Sequence, residues 1–245
     1  MIDKLPNCFL ISGEYLKNME FSNVREIGND VLYANTDLEH FNLSKAEVIG
    51  NYFLANNIKL TNIDLNKTIM IGDDFLKRNI IVESINFDSL QRVGNSFMFS
   101  NKGLSSIVLP NLSYTGKCFF KLNDKVLFAS FPSLQETGDF FMNDAKNLRM
   151  FEADNLRVTG DMFLMANKEL DYISLPNLIK TGKLFLAANQ IIMSVNLPNL
   201  SYLPKYFLRN AGGLESITLA DDCTWDAIYN KKLLELMHEK KGKTL

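Results

Sequence analysis

Apolar residues recur along the chain with a fixed period of 22 residues. Counting Gly94 as position 0, the residues at positions 3, 4, 10, 13 and 15 of each period are apolar, whereas those at positions 12 and 14 vary. Position 3, for example, is Phe97, Phe119 and Phe141 in three successive periods. A period in the range of about 20–50 residues is typical of a solenoid, in which each turn packs only against its neighbours. The pattern therefore predicts one continuous body over residues 1–245.

Ten turns can be counted between residues 6 and 223, after a short tail at residues 1–5. Positions 13 and 15 alternate with polar positions as inward residues of a short strand do, for example Ile107 and Leu109. Stacking of such strands predicts one parallel sheet on one face of the solenoid. The apolar residues at positions 3 and 4 would then fill the opposite wall of the core.

Glycine and asparagine each form a column in this repeat. A glycine at position 0 either adopts a positive φ or allows two backbones to approach closely, and the sequence is compatible with both. Asparagine at position 7 can form hydrogen bonds with the backbone of the adjacent turn, or can serve a turn conformation. The glycines are Gly28, Gly50, Gly72, Gly94, Gly116, Gly138, Gly160 and Gly182, and the asparagines are Asn35, Asn57, Asn79, Asn101, Asn123, Asn167 and Asn189.

The two ends of the solenoid differ in sequence. After Leu219 the repeat stops, and residues 221–224 carry side chains that suit a helix N-cap. Apolar residues then follow at helical spacing, which predicts a capping helix over 224–241 and a tail at 242–245. The first turn has no comparable cap, so its exposed edge is expected to allow weak self-association.

Composition and cysteine positions narrow the cellular compartments and the classes of partner that we expect for this chain. A net charge of −2 does not favour nucleic-acid binding, and no apolar run reaches the ~18–20 residues of a membrane span. The first residues, Met1 to Pro6, do not have the features of a secretory signal. Cys8 and Cys118 are five turns apart, roughly 24 Å at ~4.8 Å per turn, and Cys223 lies in the last turn, too far for a disulfide. We expect a cytoplasmic protein, or one exported without a conventional signal peptide.

Few residues offer catalytic or metal-binding chemistry. The two histidines, His40 and His238, are not spaced as a metal-binding pair, and the three cysteines do not form a zinc pattern. The glycines are single and do not form a phosphate-binding loop. The sequence therefore predicts a protein that is not an enzyme and that has no cofactor or metal.

Large apolar residues interrupt position 12, which is otherwise small and polar. They lie on three consecutive turns, where position 12 would face outward from the sheet. Alternatively, the sheet bends or slips in register here and buries them, since Ala129 and Phe131 are unusual at positions 13 and 15. With neighbours at position 11 and one acidic residue at position 14, the candidate partner-binding residues are Leu127, Phe128, Met150, Glu152, Tyr172 and Met193.

A polar cluster is the second candidate site. Asparagine and aspartate stack at position 14 of three adjacent turns, with two more at position 16. Their oxygen atoms are suited to a hard cation or to sugar hydroxyl groups, although a hydrated sheet surface has the same composition. The cluster consists of Asn42, Asp64, Asn66, Asn86 and Asp88.

The segments 104–112 and 170–178 share the pattern L-x-x-I-x-L-P-N-L, followed by T-G-x-x-F-L-x-x-N in the best copies. This pattern resembles the BspA-like subclass of bacterial leucine-rich repeats, although the turn is slightly shorter than is usual there. The resemblance covers most of the chain. It implies a leucine-rich-repeat solenoid of the α/β class that serves as a curved, non-catalytic recognition scaffold.

Three functions are compatible with these observations. The first is a protein–protein interaction module, such as an adaptor, inhibitor or effector, that binds its partner through the strand face. The second is a carbohydrate-binding module, in which Phe128 and Tyr172 stack against sugar rings. The third is a structural solenoid that assembles through its N-terminal edge.

Overall fold

A computed structural model of the chain describes residues 3–13 and 15–242. It shows a parallel-strand solenoid of about ten turns that ends in a single helix, as the repeat predicts. Residues 1–2 of the expected N-terminal tail and residues 243–245 of the C-terminal tail lie outside the described residues.

The strands are short and fall at the same positions of successive turns. In chain order they are β1 (Lys4–Leu5), β2 (Asn18–Glu20), β3 (Glu26–Ile27), β4 (His40–Asn42), β5 (Val48–Ile49), β6 (Asn62–Asp64), β7 (Met70–Ile71), β8 (Ser84–Asn86), β9 (Arg92–Val93), β10 (Ser106–Val108), β11 (Tyr114–Thr115), β12 (Phe128–Ser130), β13 (Glu136–Thr137), β14 (Met150–Glu152), β15 (Tyr172–Ser174), β16 (Ser194–Leu197), β17 (Tyr202–Leu203), β18 (Ser216–Leu219) and β19 (Thr224–Trp225).

The three- and four-residue strands form the predicted strand face. They pair in parallel without a shift in register, as in the row Ser106, Phe128 and Met150. The central residue of each strand points inward, and Ile107 and Ala129 are buried there. The face is divided into short sheets of two or three strands, β2-β4, β6-β8, β10-β12-β14 and β15-β16-β18.

A second parallel ladder, which was not predicted from the repeat, runs along positions 20 and 21. Seven two-residue strands, β1 to β13 in odd numbers, form one sheet, and isolated bridges at Val158 continue it. The position 21 side chains point inward and are buried, as Ile71, Val93 and Thr115 are. The prediction of a single parallel sheet was therefore wrong, because each turn contributes to two parallel ladders. Within the described residues, the turns of the solenoid contain no α-helix. The helical part of the predicted α/β class is therefore supplied by the terminal helix alone.

The third side of each turn, positions 1 to 6, alternates between left-handed and ordinary backbone conformations. In the sixth turn Cys118, Phe120 and Leu122 have φ values of 57°, 53° and 62°. The N–H of Cys118 donates to the following turn, at Asp139 O (2.8 Å), and that of Phe120 donates to the preceding turn, at Phe97 O (2.9 Å). Left-handed residues other than glycine are individually unfavourable, so these bonds between turns stabilise the conformation.

Phenylalanine at position 3 forms the centre of the core. From Phe75 to Phe207 the rings stack with centroids 4.9–5.4 Å apart and planes within 4–13° of parallel. Because each ring packs between the rings of the two adjacent turns, neighbouring turns stabilise one another.

The structure decides between the two interpretations of the glycine column. No glycine in the described chain has a positive φ. Instead, a Cβ atom built on Gly138 would lie only 2.6 Å from the carbonyl carbon of Gly116 and 2.7 Å from the amide nitrogen of Lys117. Glycine is thus used at position 0 because consecutive backbones approach too closely for a side chain.

The asparagines at position 7 form a ladder of hydrogen bonds between turns, so the first of their two predicted roles is confirmed for the amide Nδ2 donors. The Nδ2 atom of Asn101 donates to Leu76 O (2.9 Å) in the preceding turn, and Asn79 bonds to Leu54 O (2.8 Å) in the same way. Both asparagines are fully buried, and their Oδ1 atoms have no hydrogen-bond partner within the described chain. The ladder therefore satisfies buried carbonyl groups of the adjacent turn.

The terminal helix, α1 (Lys231–Gly242), begins later than the range 224–241 predicted from the sequence. Residues 224–225, which were expected to start the helix, form β19. The N-cap is Asn230, whose Oδ1 accepts from Leu233 N (3.1 Å) while its Nδ2 donates to Leu208 O (2.7 Å). One buried side chain thus caps the helix and continues the asparagine ladder at the last turn.

Candidate functional site

The large residues at position 12 lie on the strand face without a change in register. Phe128 is paired with Met150, and Tyr172 is paired with Ser194 on the next turn. Met150 is 57% exposed and Tyr172 is 53% exposed, whereas Phe128 is half-buried. Because the pairing keeps its register and Ala129 lies inward, the alternative of a register slip does not apply. The expected burial holds only in part, at Phe128, and the sheet is interrupted between β14 and β15.

Two neighbours at position 11 extend this surface. Leu127 is 46% exposed and Met193 is 44% exposed. Leu127 precedes β12, and Met193 precedes β16, so they lie at the same edge of the strand face. We refer to Leu127, Phe128, Met150, Tyr172 and Met193 as the apolar patch.

Val108 is an exposed apolar residue beside the patch that was not predicted from the sequence. It lies at position 14 of β10, opposite Ser130 of β12, and is 51% exposed. The signal was present in the sequence, because Val108 is the one apolar residue in the column at position 14.

Charged residues of both signs border the apolar patch. Glu152 is exposed at the end of β14. Arg149 lies between Leu127 and Met193 along position 11 and approaches Glu169 to 4.0 Å. An apolar centre with a mixed polar rim is the usual arrangement of a protein interface.

The structure brings together only part of the polar cluster. Asp64 of β6 lies opposite Asn86 of β8, whereas Asn42 belongs to the separate β2-β4 sheet. The Asn42 Oδ1 accepts from Ser44 N (3.1 Å) and so stabilises its own turn. Asn66 and Asp88 follow the strands at position 16. Within the described chain, no group of three or more His, Cys, Asp or Glu residues is arranged to hold a metal ion.

A polar groove, which was not predicted from the sequence, lies between the strand face and the second ladder in the first five turns. It has a volume of about 590 Å³. Side chains at positions 17 and 19 of successive turns form its walls, since the residues at position 18 between them point into the core. The groove is lined by Arg25, Lys45, Glu47, Lys67, Ile69, Ser89, Gln91 and Asn111.

Ion pairs connect consecutive turns on the surface. Lys117 Nζ lies 2.9 Å from Asp139 Oδ2, and this hydrogen bond lowers the pKa of Asp139 and raises that of Lys117. Lys59 likewise lowers the pKa of Asp37 on the turn before it, through a side-chain hydrogen bond. These pairs hold adjacent turns together at sites remote from the apolar patch.

The histidines do not form a catalytic arrangement in the described chain. His40 is exposed on β4, where it is paired with Asn18, and His238 is exposed on α1. Nor is any helix of residues 3–13 and 15–242 long and apolar enough to cross a bilayer.

Comparison with known proteins shows which family this architecture matches. The family model described as "BspA type Leucine rich repeat region (6 copies)" matches residues 6–97 and 95–215. No curated protein sequence matches the chain significantly.

Two solved structures are similar to the chain. The first is a leucine-rich repeat protein from Bacteroides ovatus ATCC 8483, with 20% identity and a TM-score of 0.51 over 86% of this chain and 65% of that chain. The second is a leucine rich cell surface protein from Faecalibacterium prausnitzii A2-165, with 11% identity and a TM-score of 0.41 over 89% of this chain and 83% of that chain. The chain thus spans slightly less than two thirds of the Bacteroides protein, and that likeness concerns the fold.

Proposed function

Because the chain belongs to the family of BspA-type leucine-rich repeat proteins, we propose that it is a non-catalytic scaffold that binds another protein through its strand face. The repeat family is generally associated with protein interaction or with surface repeat scaffolds. Leucine-rich repeat folds are typically non-catalytic.

The apolar patch is the single observation that supports this site most directly. Four of its five residues, Leu127, Met150, Tyr172 and Met193, are each 44–57% exposed on neighbouring turns. Large apolar side chains clustered on an exposed surface often mark a contact with a partner. Tyrosine and methionine are also enriched in the centres of interfaces, where a few residues contribute most of the binding energy.

The partner that fits this surface is a protein with a complementary apolar surface and few charges at its centre. The rim contains both Arg149 and Glu152, so charge alone does not select a strongly acidic or basic partner. We also propose that the protein works in a reducing compartment such as the cytoplasm, because Cys8, Cys118 and Cys223 belong to turns too far apart for a disulfide.

A double substitution tests this proposal. Partners are captured from the source cell on the wild-type chain, and the recovered protein is then titrated against Met150→Ser/Tyr172→Ser. These side chains are more than half exposed, so their truncation should change the melting temperature little. Loss of two interface anchors should weaken binding by at least about tenfold.

The matched control is Ile58→Ser/Ile80→Ser. These isoleucines are also exposed on adjacent turns, at 45% and 49%, but lie at position 8, away from the patch. The control should bind as the wild type does. Equal binding by both double variants would refute the strand face as the binding site. A melting temperature several degrees lower for Met150→Ser/Tyr172→Ser would instead place these side chains in the core.

The two other functions predict different results. Carbohydrate recognition at Tyr172 predicts binding to glycans that Met150→Ser/Tyr172→Ser abolishes. Self-assembly predicts oligomers whose population rises with concentration and which depend on the edge at β1.

A further inference from the structure

The polar groove differs from the apolar patch in chemistry and in location. It lies in the first five turns, and none of its lining residues belongs to the patch, which spans later turns. A second, smaller hollow of about 330 Å³ continues the same two columns of side chains in later turns. It is lined by Ser133, Gln135, Asn155 and Arg157. Together the two hollows follow the long axis of the solenoid, which suits an extended ligand.

The groove carries an excess of positive charge in a chain whose net charge is −2. Three cationic side chains line it, and the one carboxylate, Glu47, is paired with Arg25. Lys45 Nζ contacts the neutral Asn23 Oδ1 at 3.0 Å, and Lys67 forms no ion pair within the described chain. Two lysines on consecutive turns, ~4.8 Å apart along the solenoid, are therefore available to anions.

The remaining lining groups can form hydrogen bonds with neutral polar groups of a ligand. Ser89 and Gln91 contribute a hydroxyl and an amide. The Asn111 Nδ2 donates a hydrogen bond to Asp88 O (2.6 Å), which fixes the orientation of the Asn111 side chain. Ile69 is the one apolar residue among the eight that line the groove. A peptide usually needs apolar pockets for its anchor residues, whereas sugar hydroxyl groups need amide and hydroxyl partners.

We propose that this groove binds a linear acidic glycan, with carboxylate or sulfate groups on Lys45 and Lys67 and hydroxyl groups on Ser89 and Gln91. Arg25 is held by Glu47 and shapes one end of the groove, while Arg157 extends the positive surface in the second hollow. This site is independent of protein binding at the apolar patch.

The test is a titration with a short heparin oligosaccharide and an oligogalacturonate, at low and at physiological salt. The variant is Lys45→Asn/Lys67→Asn, because asparagine occupies the same position in other turns, as in Asn111 and Asn155, and is compatible with the fold. We expect the variant to bind at least one of these glycans about tenfold more weakly, since charge-assisted hydrogen bonds are lost. We also expect the wild-type affinity to fall as salt rises.

The matched control is Lys102→Asn/Lys168→Asn, which makes the same charge change at exposed positions outside the groove. Its affinity for the glycans should lie within about twofold of that of the wild type, because salt largely screens the interaction of distant exposed charges with the ligand. Equal losses in the two variants, or no binding by the wild type, would refute the proposal. Tighter binding of a polyglutamate peptide than of either glycan would assign the groove to an acidic peptide instead. Met150→Ser/Tyr172→Ser should retain full glycan binding, which separates this test from that of the proposed function.

Discussion

Replacement of Gly138 by alanine tests directly why the solenoid has glycine at position 0. Gly138 donates its N–H to Thr115 O (2.9 Å), which holds it against the preceding turn. An alanine Cβ would lie 2.6–2.7 Å from three backbone atoms of Gly116 and Lys117. Because these atoms belong to the backbone, they cannot rotate away as a side chain would, and the two turns must separate.

Two effects of opposite sign contribute to the expected free energy. Alanine reduces the conformational entropy of the unfolded chain, which alone would stabilise the protein by about 0.4–1 kcal/mol. Overpacking typically costs about 1–3 kcal/mol, and more where backbone has to move. The steric effect should dominate, with a net loss of about 1–2 kcal/mol. For a chain of this size, that loss corresponds to a fall in melting temperature of about 2–8 °C.

The control is Gly212→Ala. At Gly212 the added Cβ would meet only Gln190 O, at 3.8 Å, and the residue is exposed. Thermal and urea unfolding should therefore show Gly212→Ala to be neutral or slightly more stable than wild type. If Gly138→Ala also proved as stable as wild type, the close approach of the backbones would not be the reason for glycine at position 0.

Three further predictions follow from the packing, the ion pairs and the cysteines. Leu148→Ala should lower the free energy of unfolding in urea by about 2–5 kcal/mol because Leu148 is fully buried, and a loss below about 0.5 kcal/mol would contradict this. The lowered pKa of Asp139 gives a stabilisation that is present above the ordinary aspartate pKa of about 3.9 and is lost as the pH falls through the lowered value. Asp139→Asn should therefore be slightly less stable than wild type at neutral pH, by less than about 1 kcal/mol, and the difference should shrink as the pH falls below about 3.9. A difference that does not change with pH would exclude the ion pair as its cause. All three cysteines should react with a thiol reagent after unfolding without reductant, and a disulfide within the monomer would contradict the placement in a reducing compartment.

The sequence was sufficient to predict the number of turns, the strand face and the stacked core. A 22-residue period repeated ten times places Phe97 above Phe119 and Ile107 beside Ala129 whatever the detailed path of the chain. Since each turn contacts only its neighbours, the repeat itself contains most of the information about packing. The donor half of the asparagine ladder could be predicted for the same reason.

The second ladder and the helix boundary could not be predicted from the pattern. Strands of two residues, such as Met70–Ile71, are too short to give a recognisable alternation, and only the pairing between turns defines them. The helix start depends on Asn230, whose side chain bonds both to Leu208 O and to the first helical turn. Residues 221–224 looked equally suitable because local sequence does not show that β19 must first complete the last turn.

The apolar patch and the polar groove differ in how far they could be predicted from the sequence. The apolar patch was identifiable because Met150 and Tyr172 break a polar column, although only the structure showed that Phe128 is half-buried. The polar groove was not identifiable, since polar residues at positions 17 and 19, such as Lys45 and Gln91, are typical of any solvent-exposed segment. The sequence determined which residues face outward, because alternation along a strand sets that locally. Which of these outward residues line a common groove depends on the three-dimensional path of the chain, because the bend between the strand face and the second ladder arises from the packing of whole turns.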